Sequence, residues 1–190
     1  HSYNLFKTAS FTGLENYKYI LGDKLIIKAF IQTFKYAFLT VPLELMFALF
    51  IAYILNNKIR GLNFFRTIYY IPSILGGSVS IAVLWKFLFK TEGLVNIMLG
   101  ALGIPAFNWL GNPDGAFFVI VLLRVWQFGS PMVIFLAALK GVQGDLYEAA
   151  AIDGAGKWKQ FFSITIPLIT PVIFYNFVTQ LCNKFQEFNG

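Results

Sequence analysis

Apolar and polar positions alternate along this chain on the scale of whole elements. Four long apolar runs, at about 31–55, 67–89, 116–139 and 166–182, are set between stretches rich in Gly, Asn, Asp and Lys. Tyr36–Leu55 alone gives 20 mostly apolar residues, enough to cross a hydrocarbon layer at about 1.5 Å per residue. The pattern predicts an all-α, polytopic transmembrane helical bundle. Pro42 predicts a kink in the first span. Pro72 and Gly76-Gly77 predict an irregular first half of the second, and Pro167 and Pro171 a break in the fourth. Residues 1–28 are mixed and polar and predict no span. Residues 90–115 predict a partly helical loop around the apolar piece Leu94–Leu102, with Trp109 at a membrane interface.

The most structured polar interruption is 140–165, and Asp145–Pro167 (DLYEAAAIDGAGKWKQFFSITIP) is its centre. Asp145 followed by Glu148 reads as a capping box that starts a helix at Leu146. Ala149, Ala150 and Ala151 favour helix, and Gly154 is placed to end it in a left-handed cap. A second amphipathic piece, Lys157–Ile166, leads to Pro167. An alanine-rich face allows another surface to approach closely, and Glu148 offers one negative charge to an Arg or Lys. The same residues also suit a plain capped helix linking two spans.

Composition sharpens the class. The chain is 57% hydrophobic and only 13% charged, against roughly 25% charged in soluble domains. The mean hydropathy is +0.66. The net charge is +6, but its cations are scattered, which argues against a nucleic-acid surface. One cysteine, Cys182, excludes an intrachain disulfide and a thiolate metal cluster. The first residues lack the basic start and apolar core of a signal peptide. No Walker, HExxH or GxSxG pattern occurs, so no catalytic site and no cofactor are expected, and ATP is not expected to bind here.

Glu148-Ala149-Ala150, three residues, Gly154, nine residues, Ile164, then Ile166-Pro167 resembles the EAA motif of ABC importer permeases. Ile166 departs from the usual Leu before Pro. The resemblance extends over about residues 11–190 to the carbohydrate-uptake permeases of the maltose and glycerol-phosphate kind. It is carried by Gly13-Leu14 and Asn16-Tyr17, Val41-Pro42-Leu43, Phe65-Arg66-Thr67, Tyr70-Ile71-Pro72, Asn108-Trp109-Leu110 and Leu146-Tyr147-Glu148. It implies a single transmembrane permease domain in the cell membrane that moves a sugar inward. It also implies a cytoplasmic ATPase subunit docked on Glu148, Ala149, Ala150, Asp153, Gly154, Ile164 and Pro167. Further implied partners are a second homologous permease and an extracellular solute-binding protein. The start at His1 and the end at Gly190, just after a span, lead to the expectation of a fragment lacking the family's first and last helices. A permease for amino acids or peptides, or a secondary transporter with broken helices, stays open.

Charge predicts orientation. Loops 56–66 and 140–163 together carry six Lys or Arg, whereas 90–115 carries only Lys90, which places the first two in the cytoplasm. Five lysines between Lys7 and Lys35 oppose this, and a preceding span would resolve the conflict.

Polar groups inside the spans are the remaining candidates. Glu44, Arg124, Gln127, Asn176 and Gln180 are too costly to face lipid. They either line a solute path or join helices, for example as an Arg124–Glu44 pair. Trp126, Phe128, Phe174 and Phe177 could stack on sugar rings or simply pack.

Overall fold

A computed structural model of the chain describes residues 2–4, 7–10, 13–57 and 62–186. A short antiparallel hairpin, β1 (Ser2–Asn4) and β2 (Lys7–Ser10), precedes an otherwise helical chain. The helices are α1 (Glu15–Gly22), α2 (Lys24–Asn56), α3 (Leu62–Leu75), α4 (Val79–Phe89), α5 (Leu94–Ala101), α6 (Pro113–Trp126), α7 (Gly129–Lys140), α8 (Gly144–Ile152), α9 (Lys157–Gln160) and α10 (Ile166–Gln186). A π-turn, Phe161–Thr165, joins α9 to α10. Residues 58–61 of the basic loop 56–66, and residues 187–190, lie outside the described residues.

The axis of the bundle is α2, against which α6, α7 and α10 pack. Its buried residues fall on one stripe: Ala37, Thr40 and Val41, Glu44 and Leu45, Ala48, Ala52, Leu55. The spacing of three to four residues keeps them on one helix face. The alanines let neighbouring backbones come close, which is how helices associate where no water drives them together. Met132, Phe135, Leu136 and Leu139 of α7 and Ile169 of α10 complete the core. The opposite face of α2 exposes Phe38, Met46, Phe47 and Phe50. Apolar surface of this extent needs a hydrocarbon solvent rather than water.

Four spans emerge if each bent helix pair counts as one, and they differ from the sequence expectation in instructive ways. The first begins not near Ile31 but at Lys24, because the Asp23 carboxylate caps it, accepting from the Leu25 amide at 2.8 Å. It then runs through Pro42 without a break. The second is two segments bent by 97°. Gly76-Gly77 end α3, and Ser78 starts α4 by accepting the Ile81 amide at 3.4 Å. The third, expected as one helix, is α6 and α7 bent by 42° around Gln127 and Phe128. At that corner Gly129 lets α7 cross α3: a Cβ there would stand 2.6 Å from the Tyr69 carbonyl oxygen and 2.9 Å from Ser73 Oγ.

The fourth span is not broken at its prolines. A continuous helical stretch, Lys157–Gln186, passes through both. Proline lacks the N–H that would bond the carbonyl four residues back and crowds that carbonyl. For Pro167 this carbonyl belongs to Ser163, inside the π-turn, where the wider i→i+5 winding makes room.

Candidate functional site: an exposed helix at one end and a polar cavity

The motif segment folds as a helix, a tight stop and a return. α8 begins at Gly144, two residues ahead of the expected Leu146. Gln143 occupies the cap position and no side chain caps the helix, so the capping box expected from Asp145 and Glu148 does not form. Asp145 sits instead in the first turn, where its charge suits the positive end of the helix dipole. The stop is as the sequence predicts. Gly154 has φ +77°, the Gly154 amide donates to the Ala151 carbonyl at 3.0 Å, and the Ala155 amide donates to the Ala150 carbonyl at 2.8 Å. This pair of bonds is the Schellman arrangement, and the left-handed residue at its centre favours glycine.

Four contacts hold the return. The Tyr147 and Thr165 hydroxyls lie 2.7 Å apart, so the first turn of α8 is tied to the π-turn. Gln160 Nε2 donates to the Ala155 carbonyl at 2.9 Å and to that of Tyr147 at 3.4 Å. Phe161 meets the Tyr53 ring edge-on at 4.8 Å, anchoring the segment to α2. α8 itself has no buried residue, and Glu148, Ala149, Asp153 and Gly154 are exposed. Ala150 and Ile164 are half-buried, and Pro167 is exposed at the start of α10. Ile152 is 87% exposed. The result is a largely exposed helix, tied down through Tyr147, with an acidic first turn and a small-residue body.

The second feature is a cavity of about 330 Å³ among α2, α3, α6, α7 and α10. Glu44, Arg124, Gln127 and Gln180 all line it, so four of the five polar residues singled out within the spans share one space. Asn176 does not: it is buried, and its Nδ2 donates to the Val172 carbonyl of its own helix at 3.2 Å. Lys184 joins the cavity and forms an ion pair with Glu44, its Nζ 3.2 Å from Oε2, with side chains only 8% and 3% exposed. Sequence reasoning missed Lys184 because it ended the last span at Cys182. Ser73 and Ser130 also line the wall; they escaped notice because a serine in an apolar run carries little signal.

The cavity lies where two helix breaks meet. Gln127, at the α6–α7 corner, donates from Nε2 to the carbonyl of Gly76 at 3.3 Å, at the α3–α4 corner. Its Oε1 accepts from Arg124 Nη1 at 3.0 Å. Irregular backbone inside a membrane protein needs such partners. The aromatic candidates sit elsewhere. Phe128 is buried edge-on to Phe47 at 4.8 Å, Trp126 packs on Trp85 at 5.9 Å, Phe177 packs on the core, and Phe174 is exposed on the outside of α10. Trp109 is held by a buried amide, its Nε1 donating to Asn96 Oδ1 at 2.9 Å, while Asn96 Nδ2 donates to the Phe107 carbonyl at 2.8 Å. This hub of the 90–115 loop was also invisible in the sequence. No group of His, Cys, Asp or Glu that could hold a metal occurs among the described residues.

A predominantly helical bundle with broken spans, a polar interior and one exposed helix between apolar segments has the architecture of a polytopic membrane protein. Residues 20–188 match the family described as "Binding-protein-dependent transport system inner membrane component", and the chain belongs to that family. It is 45% identical over 189 residues to the probable ABC transporter permease protein YesP of Bacillus subtilis, covering 98% of this chain and 61% of that protein. It is 36% identical over 181 residues to the trehalose/maltose transport system permease protein MalF of Thermococcus litoralis, covering 94% of this chain and 61% of that one. The fold matches a chain in the crystal structure of a bacterial ABC transporter involved in the import of the acidic polysaccharide alginate. That match has a TM-score of 0.77 at 23% identity and covers 93% of this chain and 63% of the other. The chain thus spans about three-fifths of the length of the curated relatives it matches.

Proposed function

We propose that the chain is the membrane-spanning permease part of an ABC importer that moves a carbohydrate inward. ATP is hydrolysed on a separate cytoplasmic subunit seated on α8. The observation that carries this reading is the exposed α8 with its glycine-closed stop, anchored through Tyr147, Gln160 and Phe161 to the base of the bundle. A rigid lever of this kind transmits motion from a docked subunit to the spans, and it has no use in a secondary transporter. Ala149 and Ala150 admit a close partner surface, Glu148 and Asp153 offer charges to basic groups, and Ile164 and Pro167 set the return into the membrane.

The Glu44–Arg124–Gln127–Gln180–Lys184 cavity is the section of the solute path contributed by this chain. Amides that donate and accept suit sugar hydroxyls. Family membership and the trehalose/maltose relative support a carbohydrate, and the same family supports a second homologous permease and an extracellular solute-binding protein as partners. The test is purification of the complete protein with its cognate ATPase, followed by sugar uptake into proteoliposomes with and without ATP. Stable co-purification and ATP-dependent uptake are expected. A chain that retains no ATPase and moves solute down an ion gradient is a secondary transporter, and that outcome refutes the proposal.

A further inference from the structure

Two hydrogen bonds from the bundle side of the return converge on one residue of α8. The Tyr147 hydroxyl lies 2.7 Å from Thr165 Oγ1, and the Tyr147 carbonyl accepts from Gln160 Nε2 at 3.4 Å. Thr165 is 2% exposed and is the last residue of the π-turn. The residue after it, Ile166, begins α10. Along the chain Tyr147 and Thr165 are 18 residues apart, and that route passes through Gly154, Gly156 and the π-turn. Glycine adds backbone freedom, and a π-turn interrupts the regular α-helical ladder. The hydroxyl pair bypasses all of these softer joints. Beyond it α10 runs unbroken for 21 residues, about 30 Å at the helical rise. Its far end carries Gln180, Asn183 and Lys184 into the wall of the polar cavity, where Lys184 grips Glu44 of α2.

We infer that Tyr147 and Thr165 are positioning residues that couple the ATPase on α8 to the solute path. A displacement of α8 passes through the hydroxyl pair to the base of α10, on the far side of the π-turn. α10 then carries it as one body to Gln180 and Lys184. The sequence order suits this division of labour: Glu148 is exposed, and Tyr147 beside it is half-buried against the return. One residue faces the docked subunit and its neighbour faces the bundle. Two distant sites are coupled when both bias the position of one contiguous element, and α10 touches both. Loss of the Tyr147 hydroxyl alone spares the fold, because the ring remains and the Thr165 hydroxyl can turn to a carbonyl of the preceding turn. This inference rests on the permease reading above and names the contact through which the ATPase acts on the cavity.

The test uses the complete transporter with its ATPase in lipid nanodiscs, in a Cys182→Ser background. Ser130→Cys in the cavity wall is the reporter. The readout is the rate at which a small methanethiosulfonate labels that cysteine, with and without a non-hydrolysable ATP analogue. The nucleotide should change the rate in the parent. In Tyr147→Phe and in Thr165→Val that response should shrink by about twofold to tenfold, the worth of one hydrogen bond expressed as a ratio. Abundance and bound ATPase should stay parental in both. Either variant removes the bond, so one that assembles is enough. The two combined should lose no more than one alone, because both remove the same bond. Thr165→Ser keeps a hydroxyl and should keep the parental response. A parental response in Tyr147→Phe and Thr165→Val overturns the inference and leaves the permease reading standing. Loss of the response in Thr165→Ser, loss of the ATPase from Tyr147→Phe, or an ATPase-bound parent that ignores the nucleotide does the same. A complete parent that retains no ATPase overturns the permease reading itself.

Discussion

Gln127 Nε2 donates to the carbonyl of Gly76 at 3.3 Å, joining the break in one span to the break in another. Two corners that are far apart in sequence thus satisfy each other. Gly76 has no side chain because Gln127 occupies the space where one would be: a Cβ there overlaps the Gln127 amide group. Gly76→Ala should displace Gln127 and cost about 1–3 kcal/mol of stability through overpacking. The measurement is thermal unfolding in detergent. A lowered midpoint is expected for Gly76→Ala, with no change for Gly77→Ala, whose added Cβ meets open space.

The Glu44–Lys184 pair predicts strong coupling between two helices. Removing one member of a buried pair leaves the other charge stranded, at a cost of about 3–5 kcal/mol. Glu44→Leu alone should therefore reduce membrane abundance sharply, because it takes from the buried Lys184 ammonium the carboxylate it pairs with. Lys184→Met with Glu44→Leu should recover most of it, because no charge remains unpaired at that contact. Abundance of the four proteins, parent included, forms a double-mutant cycle. Additive losses would show that the pair does not hold α2 to α10.

Gly154 sits at φ +77° with nothing within 4 Å of an added Cβ, so a substitution there tests conformation alone. Gly154→Ala should loosen the end of α8 at a cost of about 1–2 kcal/mol. Hydrogen exchange at the Gly154 and Ala155 amides should accelerate, while exchange in α2 stays as it was. Unaltered protection at both amides would show that the left-handed stop is dispensable.

Orientation is open to labelling. In a Cys182→Ser background, cysteine at Asn112 should react with an impermeant reagent on intact cells. Cysteine at Lys157 should react only after permeabilisation. Both positions are exposed, so accessibility from the two sides decides the pattern. The opposite pattern would invert the topology.

Much of this architecture was legible in the sequence, because hydropathy over twenty residues is a strong signal and the Gly-closed helix has a local cause. Gly76-Gly77 announced an irregular second span, and Gly154 announced the stop of α8. Other features depend on partners that are distant in sequence. The corner at Gln127 is followed by Gly129 and Pro131, but the carbonyl that its side chain satisfies belongs to Gly76, 51 residues away. Pro167 reads as a break until the π-turn before it is seen. Asp145 satisfies a capping pattern, yet the helix starts one residue earlier at Gly144 and makes no use of it. Four of five polar residues chosen for their cost in lipid share one cavity, which follows because the interior is the place where that cost is relieved. Lys184 was lost with the estimate of where the last span ends.

The most direct measurement of the central claim concerns Glu148 on the exposed face of α8. Its charge reversal touches nothing buried, so folding and membrane insertion should persist. Membrane abundance, bound ATPase subunit and ATP-dependent sugar uptake are to be measured together for parent and Glu148→Lys. The account predicts parental abundance, with ATPase retention and uptake each reduced about tenfold or more, the loss of a charge-assisted contact worth about 1.5–3 kcal/mol. Parental ATPase retention and uptake in Glu148→Lys would contradict α8 as the docking helix.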